Sequence, residues 1–146
     1  MRIVQADAAR RDDWAALHAE MFPDDDASVH LDNFVSGNGA AFLAVDESGT
    51  AQGYAEVSVR HDYVNGLDTS PAAFLEAVYV RPTFRRAGAA RALVAAVEAW
   101  SSARGLRELG SDALLDNAAS HAMHIGLGFE ETERIVCFRR VLGGEG

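Results

Sequence analysis

Apolar positions along the chain change their period several times, and each change marks an element. Ile3 and Val4 open a short strand. Asp7 is suited to cap a helix, and after it Trp14, Leu17, His18 and Met21 recur at i, i+3, i+4 and i+7, the spacing of one helix face. Pro23 and the run Asp24-Asp25-Asp26 break that helix. Val29, Leu31, Phe34 and Val35 predict a second, short helix, ended by Gly37 and Gly39. Two β-like runs, 41–46 and 53–59, are joined by Glu47-Ser48-Gly49-Thr50 and predict an antiparallel hairpin. A polar stretch from His61 to Pro71 contains the turn pair Asn65-Gly66. The run 74–80 is apolar apart from Glu76 and is stopped by Pro82, which predicts a buried strand. Residues 88–104 form the clearest helix, with Leu93, Val94, Val97 and Trp100 on one face and Gly105 at its C-terminal end. The run 106–111 predicts a strand parallel to 74–80, because a helix lies between them. A helix over 117–127 is ended by Gly128, and 129–142 offers one or two closing strands. The order βααβββαβαβ predicts an α/β fold, a single domain over 1–146 with one mixed central sheet flanked by helices.

Composition narrows the class. A chain of 146 residues suits one domain with a real core. It carries 13 Lys+Arg against 22 Asp+Glu, a net charge of −9. That acidity argues against general nucleic-acid binding and is compatible with a cationic partner. Mean hydropathy is near zero and no apolar run approaches the roughly 18 residues of a membrane span, so no membrane association is expected. Met1-Arg2-Ile3-Val4 lacks the basic-then-apolar form of a signal peptide, and a cytoplasmic location is expected. One cysteine, Cys137, allows neither an internal disulfide nor a CxxC clip. It sits in the alternating run Ile135-Val136-Cys137-Phe138 and reads as core or interface, as do Trp14 and Trp100. His121 and His124 are spaced i, i+3 without an evident third ligand, so no metal is expected.

The segment Val78-Tyr79-Val80-Arg81-Pro82-Thr83-Phe84-Arg85-Arg86-Ala87-Gly88-Ala89-Ala90 runs from strand through turn and small-residue loop into the long helix. A helix N-terminus presents unpaired N–H groups and the positive end of its dipole, which suits a phosphate. Arg85, Arg86 and Arg91 add charge, and Gly88 with its alanines lets the backbone approach. The loop lacks the last glycine of GxGxxG and the GK[ST] of a P-loop, so by itself it reads equally as a tight turn with solvated arginines. After the next predicted strand stands Asn117-x-x-Ser120-x-x-x-His124-x-x-x-Gly128-Phe129. With both segments in this order, the chain resembles the GNAT superfamily of N-acetyltransferases. The strings Arg60-His61-Asp62-Tyr63-Val64-Asn65-Gly66, Ser70-Pro71, Phe74-Leu75-Glu76 and Gly128-Phe129-Glu130-Glu131-Thr132-Glu133-Arg134 look like the aminoglycoside 6′-N-acetyltransferases within it.

That resemblance implies acetyl-CoA as cosubstrate. Its pantetheine arm would pair like an added strand with the backbone of Val78, Tyr79 and Val80. Its pyrophosphate would be held by N–H groups of Arg86, Ala87, Gly88, Ala89, Ala90 and Arg91, and Asn117 would bond it near the thioester. The resemblance further implies direct transfer in a ternary complex to the 6′-amine of an aminoglycoside, a resistance activity, and a homodimer.

Aminoglycosides are polycations, and carboxylates stand at suggestive places. Glu76 interrupts an apolar strand, so it either faces a cleft or pairs with an arginine. Asp112 ends the next strand, where α/β sheets place ligands; the other reading is a helix cap, for which Asp116 is better placed. By resemblance, Glu133 lines the same pocket and Phe22 lies near a sugar-stacking aromatic. Asp25 shares the loop with Phe22, within a run that could equally be solvated. Tyr63 offers a ring and a hydroxyl, or anchors a loop. An alkyl ammonium with a pKa near ~10.4 is mostly protonated at neutral pH, so the reaction needs a proton exit, for which Asp112 or Glu76 is the candidate. By resemblance, a backbone N–H within 78–80 serves as oxyanion donor. His124 stands where the superfamily more often has Tyr; it either protonates the departing thiolate or packs against the sheet. Two other readings stay open: acetylation of a polyamine, small metabolite or protein N-terminus, and a non-catalytic sensor of acetyl-CoA or a cationic ligand.

Overall fold

Among the described residues five strands lie in chain order in one sheet: β1 (Arg2–Gln5), β2 (Gly39–Val45), β3 (Ala51–Arg60), β4 (Ala72–Val80) and β5 (Leu109–Gly110). This is a computed structural model, and it describes residues 1–26 and 36–143. β1 to β4 are antiparallel neighbours, and β5 joins β4 in parallel at Ala73↔Leu109 and Phe74↔Gly110. The helices whose full extent lies among the described residues are α1 (Arg11–Met21), α2 (Ala89–Ala103) and α3 (Ala118–Gly126). Met1–Asp112 forms one compact unit and a second begins at Ala113.

Every residue of β2 is buried, which a strand shows only when both of its faces are covered. Ala41, Leu43 and Val45 join Trp14 and Leu17 of α1, with Tyr54, in one cluster. The alternate residues Ala40, Phe42 and Ala44 are buried on the opposite face, and α2 packs across β2, β3 and β4. As its spacing predicts, α2 buries Leu93, Val94, Val97 and Trp100. Asp46 secures the β2–β3 hairpin: its Oδ1 accepts from the Ser48 and Thr50 N–H groups at 2.9 and 3.0 Å, and its Oδ2 accepts from Gln52 at 2.9 Å. These bonds, with that from the Ser48 hydroxyl the largest influence, pull its carboxyl down to about 2.

Several expectations need correction. Asp7 caps a short 3-10 turn, Ala8–Arg10, which leads into α1. Gly39 begins β2 instead of ending a helix, and the helix expected through Val29, Leu31, Phe34 and Val35 lies outside the described residues. The strand expected over 106–111 contracts to two residues. No strand forms over 129–142, where Ile135, Val136, Phe138, Val141 and Leu142 are exposed. Alternating side chains mark a strand-like segment, but a strand also needs neighbouring N–H and C=O groups. Within the second unit no described strand supplies them. Cys137 is exposed for the same reason and does not belong to a core.

Candidate active site

β4 is longer than β5, its neighbour on one side, and beyond Phe74 no described strand pairs with that edge. On the other side the pairing with β3 shifts between Ala77↔Glu56 and Leu75↔Val57, so Glu76 is an extra residue in β4, a β-bulge. Past the bulge, the Arg81 N–H donates to the Gln52 carbonyl at 2.9 Å. By the antiparallel alternation, the main-chain groups of Tyr79 also turn to β3, and those of Val78 and Val80 turn to the other edge. The Val80 carbonyl agrees, since it accepts from Arg85 Nε at 2.8 Å. β5 pairs only as far as Phe74 and does not reach this stretch.

The chain then turns through a 3-10 helix, Pro82–Phe84, into the N-terminus of α2. Arg86 and Gly88 both have positive φ, 66° and 82°. Gly88 is the N-cap and no side chain caps the helix, so its first N–H groups keep their hydrogen-bonding capacity. An added Cβ at Gly88 would meet no atom, so the requirement for glycine there is conformational. Arg86, Ala87, Gly88 and Arg91 are exposed, Ala90 is half-buried and Ala89 is buried. Behind the loop, the Glu20 carboxylate accepts from Arg81 Nη2 at 2.7 Å and from the Tyr79 hydroxyl at 3.0 Å. Arg81 holds the Glu20 carboxyl below its ordinary range, while burial followed by Glu20 pushes the Tyr79 phenol up.

Glu76 has the arginine partner that the sequence left open. Its Oε1 accepts from Ser58 Oγ at 2.6 Å and from Arg60 Nη2 at 2.8 Å, and the Arg60 guanidinium lies 3.8 Å over the Phe74 ring. The side chain keeps 29% exposure, so the pairing does not bury it. Asp112 is exposed and follows β5. The β4–β5 register, Phe74↔Gly110, would set Asp112 beside Glu76 if continued, but β5 ends at Gly110.

The structure brings Phe22 and Asp25 to His18. Asp25 Oδ2 lies 2.8 Å from His18 Nε2, and the Phe22 and His18 rings are 5.2 Å apart. His18 and Glu56 are both buried, and Trp14 Nε1 donates to Glu56 Oε1 at 3.1 Å. In the sequence His18 reads as one member of an apolar stripe, and Glu56 has no role assigned to it. The signal was present, since Glu56 interrupts Gly53-Tyr54-Ala55 and Val57 as Glu76 interrupts its own strand. Tyr63 is 73% exposed on the loop 61–71. That loop is closed by Ser70 Oγ donating to the His61 carbonyl at 2.8 Å. Glu108 Oε1 also ties it, accepting the Asp68 N–H at 2.9 Å as well as the N–H and hydroxyl of Thr69. Gly110 permits this packing, because a Cβ there would come 2.8 Å from Leu67.

In the second unit Asn117 itself caps α3, accepting the Ser120 N–H on Oδ1 at 3.1 Å, so the cap expected of Asp116 falls to its neighbour. With Oδ1 engaged, the donor that Asn117 retains is its amide nitrogen. His124 Nδ1 lies 2.7 Å from the Ser120 carbonyl, an acceptor only, so Nδ1 carries a proton. The ring also meets Phe129 edge-on at 5.3 Å. A neutral His124 therefore has an unprotonated Nε2, and only its imidazolium could donate from that nitrogen. Glu133 is exposed. Among the described residues no cluster of His, Cys, Asp or Glu could hold a metal ion, and no helix is long and apolar enough to cross a membrane.

The model of the acetyltransferase (GNAT) family matches residues 6–129. An aminoglycoside N(6′)-acetyltransferase type 1 of Stenotrophomonas maltophilia is 46% identical over 139 residues, covering 94% of this chain and 89% of that protein. The crystal structure of an aminoglycoside 6′-N-acetyltransferase from Acinetobacter baumannii superposes with a TM-score of 0.87 at 41% identity, over 97% of this chain and 99% of that one. The structure of AAC(6′)-Iy in complex with the bisubstrate analogue CoA-S-monomethyl-acetylneamine has a TM-score of 0.88 at 39% identity, over 96% of this chain and 97% of that one.

Proposed function

Since this chain belongs to the acetyltransferase (GNAT) family, we propose that it transfers the acetyl group of acetyl-CoA to the 6′-amine of aminoglycoside antibiotics, and so confers resistance. The geometric observation that carries this reading is the open edge of β4 beyond its bulge, continuous with the uncapped N-terminus of α2. An extended amide-bearing arm can pair with the one, and a diphosphate suits the other. Acetyl-CoA supplies an acyl thioester when bound. The main-chain groups of Val78 and Val80, which turn to that edge, align the arm, with an N–H of this pair facing the oxygen on which charge develops. Those of Tyr79 turn to β3 and take no part in the pairing expected of them. N–H groups from Arg86 through Ala87, Gly88, Ala89 and Ala90 to Arg91 hold the diphosphate, and the Asn117 amide donates near the thioester.

Phe22, Asp25, Tyr63, Glu76, Asp112 and Glu133 receive the polycation. The arriving ammonium must lose a proton before its nitrogen can attack. Asp112 takes it, directly or through water, with Glu76 as the alternative. The imidazolium of His124 gives a proton to the leaving sulfur and is restored, through water, by the second proton that the nitrogen loses as it becomes an amide. The acidic balance of the chain suits a cationic acceptor and disfavours nucleic acid, and dependence on acetyl-CoA suits a cytoplasmic setting. The whole of 1–146 acts as one acetyltransferase domain, working as a homodimer. The exposed apolar residues of 135–142, with Phe138 at 92% exposure, support the dimer because a second subunit would cover them.

The test is thiol release from acetyl-CoA with a panel of amines. An aminoglycoside with a 6′-amine should give turnover, and its 6′-hydroxyl analogue none. Turnover with polyamines or peptides alone would replace the acceptor, and no turnover with any amine would favour a sensor.

A further inference from the structure

Phe22 and Asp25 meet at a buried histidine that the chemistry above does not use. His18 is 1% exposed, and its ring is held from the inside. It stacks on Trp14 at 4.9 Å, and its Nδ1 lies 3.3 Å from the Tyr54 hydroxyl and 3.5 Å from Glu56 Oε1. Glu56 stands on β3 opposite Ala77, the residue next to the bulge, and is 2% exposed. A carboxylate so deep in a core persists only where donors compensate it, and Trp14 Nε1 is one. Burial also pushes the Tyr54 phenol up, so Tyr54 stays a neutral hydroxyl in this cluster. On its outer side the same imidazole meets Asp25, whose side chain is 44% exposed, and the ring of Phe22.

We infer that His18 is a positioning residue that extends the rigidity of the Trp14–Glu56 core to the 22–26 loop and sets where the Asp25 carboxylate and the Phe22 ring stand for the acceptor. A surface aspartate is otherwise free to change rotamer, and a binding group ordered in advance loses less freedom when its ligand arrives. The consequence for the acceptor rests on the proposed function; the ordering of the loop does not.

Two measurements test this. Hydrogen exchange on the purified, ligand-free protein reads the loop directly. His18→Phe keeps an aromatic ring but removes the polar contacts to Asp25, Tyr54 and Glu56, and Asp25→Ala cuts the outer contact without touching the core. In both, amides of 22–26 should exchange roughly tenfold faster while those of β2 and β3 keep their protection. Unchanged exchange in both variants overturns the inference. If His18→Phe loosens the whole sheet, Asp25→Ala decides alone.

Kinetics then read the consequence. His18→Phe should raise the aminoglycoside KM about tenfold, the scale of one bond to a charged group, with kcat and the acetyl-CoA KM unchanged. His18→Gln, which keeps a donor for Asp25, should recover part of that loss. Adding Asp25→Asn to His18→Phe should cost little more, and full additivity of the two losses overturns the inference. If the wild type acetylates no aminoglycoside, the functional reading fails, while the exchange experiment still decides the positioning role.

Discussion

At the scale of single residues, the proton exit is the decisive assignment. Glu76 Oε1 already accepts from Ser58 and Arg60, whereas Asp112 is exposed just beyond the end of β5. Asp112→Asn should therefore lower kcat by about 10²–10⁴-fold and change the shape of the pH–rate profile. A profile of unaltered shape would pass the role to Glu76. His18 and Glu56 illustrate the limit of pattern reading at this scale. A stripe position tells that a side chain is buried, but not that it is buried beside a carboxylate 38 positions away (His18 to Glu56).

Elements translate these residues into shape. Gly53 faces Val80 across the β3–β4 pair, and a Cβ there would come 2.9 Å from the Tyr79 carbonyl oxygen. That neighbour is backbone and cannot swing aside. Gly53→Ala should destabilise the fold by about 1–3 kcal/mol and raise the acetyl-CoA KM more than the acceptor KM. Thermal melts and initial-rate kinetics check the two parts. The β2–β3 hairpin gives a pH prediction. Asp46 titrates at about 2 when folded against an ordinary 3.8, so its contribution is complete above 3.8 and is lost as pH falls through about 2. Melting temperature should decline across that window, and Asp46→Asn should flatten the decline. Hairpin, buried strand and long helix were all legible from alternation and period. The length of β5 was not, because the run 106–111 has strand-like side chains throughout, and only its pairing with β4 limits it to two residues.

The whole molecule contributes charge and, in the proposed dimer, assembly. A net charge of −9 should draw a polycationic acceptor, so its kcat/KM should fall as ionic strength rises, more steeply than that for acetyl-CoA. Initial rates between about 10 and 300 mM salt, spanning Debye lengths from roughly 30 Å to under 10 Å, would show the contrast. Phe138→Asp should shift the proposed dimer to monomer in sedimentation velocity while the circular dichroism spectrum of the full chain is unchanged. A monomeric wild type would remove the dimer from the account.

The sequence alone determined what is local. Periods of two and near 3.6 located strands and helices, and the strand–loop–helix run 78–91 and the Asn117 segment were visible as continuous strings. Tertiary structure decided what depends on distant partners: the Arg60–Glu76 pair 16 positions apart, the Trp14–Glu56 bond 42 positions apart, and the open edge left where β5 stops. The physical reason is that a buried carboxylate or an unpaired strand edge is a property of two segments at once, whereas the pattern of one segment records only its own preference for water or core.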